Sequence, residues 1–366
     1  MPMRYSLSTR NFILTIFILT ITYLGGSNLA YAQKPLYKAD TLTIRFFGDI
    51  MMHTAQISAA HKGFSQYFLH IEDKIKDADI AVANLEFTLA GKPHTGYPAF
   101  SAPDEFAEHI ARSGFDVFLC ANNHIFDKGS SGAARTLDIY RELENKFGIR
   151  YTGLIQNQEE MEEGISLNII RKGIRISFLN MTYGTNLGAT GHWPKVIYES
   201  QTKLITDALI KAGKNSDITI VLPHWGTEYE LLHSNAQKNT ADWLIENGAD
   251  LIIGSHPHVA QDTETLNGVQ VAYSLGNLVS NMSAPNTQLG LMATVRVVRK
   301  GNGDIEILPL ELTHLWCSRP GGLSDSFSVI PIDEFIGKRS LWLNAWDYDK
   351  MIETYDRVRN THNNEH

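Results

Sequence analysis

The sequence predicts a layered α/β domain with a largely buried central sheet, and three observations carry that reading. Short apolar runs of the kind found in buried strands alternate with segments of helical spacing. Two pairs of strands are joined by glycine-containing turns, which adds hairpins to the alternation. Polar residues able to bind metals recur just after the ends of the predicted strands, where ligands sit in layered α/β folds.

Taken in order, residues 42–47 form a strand ending at Gly48-Asp49. Residues 64–78 have helical spacing through Phe68, Ile71 and Ile75. Residues 80–85 form a strand ending at Asn84-Leu85-Glu86, and residues 103–113 a helix with Phe106 and Ile110 on one face, stopped by Gly114. A strand over 116–120 leads into Asn122-Asn123-His124, followed by a long helix over 132–147 closed by Gly148. Residues 167–170 and 174–180 flank Lys172-Gly173 as a hairpin, and 182–194 is an irregular loop rich in Gly, Thr and Asn. A helix over 200–212 precedes a strand over 217–222 that ends at Pro223-His224-Trp225-Gly226. A helix over 235–247 precedes Leu251-Ile252-Ile253, a short strand broken by Gly254, after which come His256 and His258. Pro257 fixes the backbone between these two imidazoles. A strand over 269–275 ends at Gly276-Asn277, and strands over 291–299 and 305–312 flank Gly301-Asn302-Gly303. A helix over 346–359 precedes a polar end that should fray from Thr361.

Composition narrows the functional classes. The chain has 366 residues, is 43% hydrophobic and 20% charged, and carries a formal charge of −8. It has no bulk basicity, so nucleic acid is not an expected partner. Residues 1–32 read as a leader: Arg4 and Arg10 precede an apolar core, and Ala30-Tyr31-Ala32 is a small-x-small cleavage pattern. The expected location is the periplasm or cell envelope, with an uncleaved N-terminal membrane anchor as the alternative. The main domain is expected over 41–316, with 317–366 as an extension packed against it and a frayed end. Cys120 and Cys317 are too few to staple the fold, and their pairing is left open by the sequence.

The candidate site residues share one address. Asp49, Glu86, Asn123, His224, His256 and His258 each lie at or just beyond the end of a predicted strand, so they should converge on one edge of a sheet. Oxygen and nitrogen donors without thiolate suit divalent ions such as Mn, Zn or Fe. Six donors exceed the needs of one four-coordinate ion and point to a pair, a common device for phosphoryl transfer.

The ordered run Gly48-Asp49, Asn84-Leu85-Glu86, Asn122-Asn123-His124 with Asp127, His224-Trp225-Gly226 with Glu228, Gly254-Ser255-His256-Pro257-His258 and Ser274-Leu275-Gly276-Asn277 resembles the CapA family. These are capsule and poly-γ-glutamate synthesis proteins of the calcineurin-like metallophosphatase superfamily. The resemblance covers residues 41–297 and implies a four-layer αββα sandwich with a dinuclear metal site at the strand ends. It implies that Asp49, Glu86, Asn123, His224, His256 and His258 are metal ligands, with Glu86 where a bridging Asp is usual. It implies that His124 is the catalytic proton donor and that Asp127 orients it. One departure is that Ile50-Met51 follows Asp49 where the superfamily has x-His; His53 is nearby but off spacing. The implied activity is metal-dependent hydrolysis of a phosphoester in a phosphorylated envelope intermediate, or of a γ-glutamyl polymer, with a membrane synthase complex as a further expected partner. The alternative is a non-catalytic metal-binding accessory protein for polymer synthesis or export.

Overall fold

The computed structural model describes residues 41–188 and 191–364; the expected leader lies outside them. In chain order the first strands are β1 (Thr41–Ile50), β2 (Ile80–Leu85), β3 (Val117–Leu119), β4 (Arg150–Thr152) and β5 (Leu154–Ile155). Then come β6 (Leu167–Arg171), β7 (Ile174–Thr182), β8 (Lys195–Val196), β9 (Ile218–His224) and β10 (Leu251–Ile253). They are followed by β11 (Thr263–Leu266), β12 (Val269–Ala272), β13 (Asn277–Val279), β14 (Leu289–Arg299), β15 (Ile305–Ile307), β16 (Glu311–Ser318) and β17 (Ser328–Pro331). A large sheet runs β17-β16-β14-β1-β2-β3-β4, with β13 added to β1 and β15 to β14. A smaller sheet runs β11-β12-β10-β9-β7-β6, and β5 pairs with β8.

Three apolar layers set the architecture. Between the sheets, Leu42, Ile44 and Phe46 of β1 and Val82 of β2 meet Phe178, Ile220, Leu222 and Ile253. The Phe46 and Phe178 rings make an edge contact with centroids 6.4 Å apart. On the outer face of the large sheet, Ala81, Ala83 and Phe118 pack with Phe106, Ile110, Leu137 and Tyr140 of the helices Asp104–Arg112 and Gly129–Phe147. On the outer face of the smaller sheet, Leu179, Val221 and Ile252 pack with Ile205, Leu209, Ala241 and Leu244 of Thr202–Asn215 and Asn235–Glu246. Helix, sheet, sheet, helix is the αββα order. Strands covered on both faces must be apolar on both sides, which is why β3 and β10 are unbroken hydrophobic runs and β2 is one up to Asn84 at the rim.

Some local expectations differ. The segment 64–78 is not one helix but a turn at Leu69–Ile71 followed by the short helix Glu72–Lys76. The Tyr67 carbonyl accepts from Val329 N of the edge strand β17 at 2.9 Å, so that backbone serves the sheet rather than a helical ladder. The strand expected over 269–275 ends at Ala272, and β13 belongs to the other sheet. Gly276 (φ +63°) makes the turn between them; a Cβ there would lie 2.8 Å from Ala260 N. The strand expected over 305–312 breaks at Pro309, which lacks an N–H for pairing, and resumes as β16 at Glu311. The Asn267-Gly268 turn, with φ of 51° and 85°, makes the hairpin of β11 and β12.

β16 runs through residue 316, where the sequence places a boundary, and β17 adds an edge strand beyond it. The helix Ala345–Asn363 sends Met351, Tyr355 and Val358 into the inter-sheet core. Cys120 and Cys317 are both free and buried. Among the described residues no helix is long and apolar enough to cross a membrane.

Candidate metal centre

Strand register brings the polar positions together. β1, β2 and β3 are parallel, with Asp49 beside Asn84 and Asn84 beside Leu119. In the smaller sheet β7, β9 and β10 are parallel, and His224 bridges to Ser255 just past β10. The carboxyl ends of both sets meet at one rim, where Asp49, Glu86, Asn123, His224, His256 and His258 are all buried.

Gly48 lets β1 reach this rim: a Cβ there would lie 2.1 Å from the Gly276 carbonyl. The next residue, Asp49, donates its N–H to that carbonyl at 2.8 Å. Its Oδ1 accepts from Asn84 Nδ2 at 2.8 Å, and its Oδ2 accepts from His256 N at 3.2 Å and lies 3.5 Å from His258 Nδ1. Glu86, past the end of β2, is held by its N–H to the Ile50 carbonyl at 2.9 Å. Both its carboxylate oxygens are buried without a hydrogen-bond partner. Around Oε1 stand the Nε2 atoms of His258 at 3.6 Å, His224 at 3.7 Å and His124 at 3.9 Å.

The loop after β3 is held by asparagines. Asn180 Oδ1 accepts from Ala121 N at 2.7 Å and Cys120 N at 3.1 Å, and Asn122 Nδ2 donates to Asn84 Oδ1 at 3.1 Å. Asn123 Oδ1 is thereby placed 2.9 Å from His224 Nε2. His124 Nδ1 lies 2.7 Å from Asp127 Oδ2, which also accepts from Phe100 N at 2.7 Å. The Phe100 ring presents its edge to the imidazole of His124 at 4.7 Å.

The histidines are oriented from behind. His224 Nδ1 lies 2.9 Å from Ser255 Oγ, and His258 Nδ1 lies 3.0 Å from Asn277 Oδ1, which directs each Nε2 inward. His256 packs against His224 and Tyr183 with ring centroids 4.8 and 4.5 Å away. Positive φ values of 98° at His256 and 59° at His258 are a backbone conformation that costs a side-chain-bearing residue about 1–3 kcal/mol.

Electrostatics favour a cation. Burial lowers the pKa of His224 well below the usual imidazole range and that of His256 to about 3, so both are neutral donors. Burial would lower His258 too, but the carboxylates of Glu86 and Asp49 outweigh it and lift its pKa to about 9. Burial raises the Glu86 carboxyl well above its usual range; His258 opposes this, and Asp49 adds to it. A lone desolvated carboxylate is unfavourable unless a positive partner compensates it.

Metal–ligand bonds of about 2.0–2.2 Å place neighbouring ligand atoms roughly 3–4 Å apart, the spacing found around Glu86. Two groups share that carboxylate: Glu86 with His224 and His256, and Glu86 with Asp49 and His258. The donor set therefore fits divalent cations. Of the other histidines, His53 lines the adjoining cavity, His192 is exposed, and His233 pairs with Asp262 at 2.8 Å while stacking on Tyr273. Trp225 is a packing residue, its Nε1 donating to the Tyr273 carbonyl at 2.9 Å.

A cavity of about 330 Å³ opens beside the cluster, with His124 and His258 buried at its base and Tyr97, Glu228, Tyr229 and Met282 on its walls. Sequence reasoning gave no role to Glu228, Asn84 or Ser255, although all three lie in its quoted motifs. Their signal was adjacency to the expected ligands, which does not say which way a side chain points.

Comparison with known proteins identifies the family. The model of the family described as "Bacterial capsule synthesis protein PGA_cap" matches residues 43–282, more than half of the chain. The chain is 26% identical over 309 residues to the "PGA biosynthesis protein CapA" of Bacillus subtilis (strain 168), covering 81% of this chain and 78% of that one. It is 27% identical over 313 residues to the "Capsule biosynthesis protein CapA" of Bacillus anthracis, covering 82% and 74%. Among solved structures, a putative 5'-nucleotidase from Staphylococcus aureus is 13% identical, with a TM-score of 0.48 over 75% of this chain and 54% of that one. By the extent of the family match, and with its αββα layers and carboxylate-histidine cluster, the chain belongs to the bacterial capsule synthesis family PGA_cap.

Proposed function

We propose that this protein is an exported, metal-dependent hydrolase of the cell envelope that cleaves a phosphoester during capsule or poly-γ-glutamate synthesis. The observation that carries the reading is Glu86: a buried carboxylate with no hydrogen-bond partner, faced by three imidazole nitrogens and shared by two candidate ligand groups. In this reading Glu86 would be the ligand common to two divalent ions of the Mn, Zn or Fe class. Asp49 and His258 stand on one side, and Asn123, His224 and His256 on the other. Ions bound there would supply an activated water and offset charge on the phosphoryl oxygens.

The chain's own residues do the rest. Asp127 accepts a hydrogen bond from the Nδ1–H of His124, so a second proton, carried on Nε2 of the doubly protonated ring, is the one given to the departing oxygen. Phe100 and the burial of His124 keep bulk water from that nitrogen. Among the described residues no Lys or Arg lines the cavity, so a phosphoryl group or polyglutamate carboxylate would be held there by the ions rather than by fixed cations.

The test is turnover of a phosphomonoester and a phosphodiester of p-nitrophenol by the Mn-, Zn- or Fe-loaded chain. Turnover that is lost on metal removal, and that for an alkyl phosphoester with a poor leaving group falls on His124→Gln with metal content unchanged, supports the hydrolase. Zero turnover by a fully loaded chain, with any of the three metals, favours the accessory role in polymer synthesis or export. The observation on that side is Met51, which offers the rim a thioether where the superfamily pattern has a histidine.

A further inference from the structure

We propose that Glu228 is a metal ligand of this centre, completing the side that holds His258. The inference rests on the two-ion reading of the site and extends it to a residue outside the six strand-end donors. The two sides are unequal. Glu86, His224 and His256 form one group, with Asn123 Oδ1 2.9 Å from His224 Nε2 as a fourth donor. The other group holds only Asp49, Glu86 and His258. Divalent ions of this class take at least four ligands.

His53 does not fill the gap. Its Nδ1 accepts from Asn281 N at 3.3 Å, its ring stands edge-on to Phe100 at 5.2 Å, and it belongs to none of the three candidate ligand groups. Glu228 does belong to one. A carboxylate oxygen of Glu228 and ring nitrogens of His256 and His258 all lie within 4.8 Å of one another. Within that group His256 Nδ1 is buried and has no hydrogen-bond partner.

The backbone fixes this approach. The loop that carries Glu228 is stitched to the loop that carries the histidines. Trp225 N donates to the Ser255 carbonyl at 3.1 Å, and Ser255 N to the Pro223 carbonyl at 3.0 Å. Tyr229 N donates to the Pro257 carbonyl at 2.8 Å, and Tyr229 adopts a φ of +71°. Gln261 Nε2 donates to the carbonyls of Glu230 and Leu232, each at 3.0 Å. Gly226, at φ +93°, is pressed against Gln237, where a Cβ would lie 2.6 Å from Nε2. Segment 255–261 thus clamps segment 225–232 on both sides of Glu228. Glu228 itself is exposed at the cavity wall, but its loop is held. Here the carboxylate overhangs the open side of the cluster, at the wall of the cavity.

The experiment is Mn²⁺ binding by the purified full-length chain. Metal per chain is measured after dialysis and affinity by calorimetric titration, for wild type, Glu228→Gln and, as control, the neighbouring Glu230→Gln. Far-UV circular dichroism and unfolding in chelator establish that each variant is folded. The expected result is two ions in wild type and in Glu230→Gln, with one of them lost or weakened about tenfold or more in Glu228→Gln. Glu228→Asp, which keeps the carboxylate, should recover part of that binding. Two ions bound equally well by wild type and Glu228→Gln would overturn the assignment while leaving the two-ion reading intact. A single ion in wild type would remove the two-ion reading; an unchanged affinity in Glu228→Gln would then overturn the assignment too, and a tenfold loss would keep it.

Discussion

Glu86→Gln separates a metal-holding carboxylate from a merely structural one, because the two roles predict opposite behaviour in chelator. Glu86 is fully buried, and neither of its oxygens has a hydrogen-bond partner. Without a cation, the fold must either desolvate a charge or keep the group protonated. Its pKa is raised above the ordinary 4.5, chiefly by burial, so the metal-free fold retains a proton that the unfolded chain releases. That contribution is fully present below the unfolded value and is lost as pH rises toward the folded value. At pH 8 in chelator, burial of this ionisable group still costs the wild-type fold stability, and Glu86→Gln should unfold at the same or a higher temperature. With Mn²⁺ at about 100 to 1,000 times its dissociation constant, binding adds about 2.7–4.1 kcal/mol to wild type. At the low end of the sensitivity for domains of this size, about 2 °C per kcal/mol, the midpoint should rise by roughly 5–8 °C. Glu86→Gln loses the carboxylate common to both groups and should rise by no more than about a quarter of that. Differential scanning calorimetry of both proteins, with chelator and with Mn²⁺, reads all four midpoints. Equal destabilisation of Glu86→Gln in both conditions, or a wild-type midpoint insensitive to Mn²⁺, would refute the reasoning.

His124→Gln should lower kcat about 10²–10⁴-fold on a phosphoester with a poor leaving group and far less on a p-nitrophenyl ester, whose leaving oxygen needs no proton; equal losses on both would count against proton donation. Mn²⁺ affinity should strengthen as pH rises from 6 to 9, because His258, lifted to about 9 by Glu86 and Asp49, must give up its proton to bind; isothermal titration in buffers of different ionisation enthalpy should show proton release, and a flat pH profile would contradict it. Asn180→Ala removes the acceptor for Ala121 N, one of the two acceptors of Cys120 N (the Thr152 carbonyl remains) and the donor to the Leu222 carbonyl; the loss should be about 1–3 kcal/mol in urea unfolding, as expected when a buried backbone N–H is orphaned.

The layered class and most of the site's membership were legible in the chain itself. Buried strands announce themselves as apolar runs, and the polar residues that follow them, Asp49, Glu86, Asn123 and His224, are marked by position alone. What escaped was whatever depends on a partner distant in sequence. Residues 64–78 have helical spacing, yet β17 claims the Tyr67 carbonyl. Residues 269–275 read as one strand, yet it ends at Ala272 and Gly276 turns the chain from one sheet to the other.

The same division runs through the site. Sequence alone determined which donors were available and that they end strands, because strand ends and glycine breaks are local properties of the backbone. Only the tertiary structure decided that Glu86 is shared by two groups, that Asn277 and Ser255 aim His258 and His224, and that Glu228 hangs over the histidine pair. Those facts depend on the packing of two sheets through the Phe46–Phe178 layer and on loops stitched across about 30 residues of chain. Side-chain direction at a rim follows from that packing, and no local pattern encodes it.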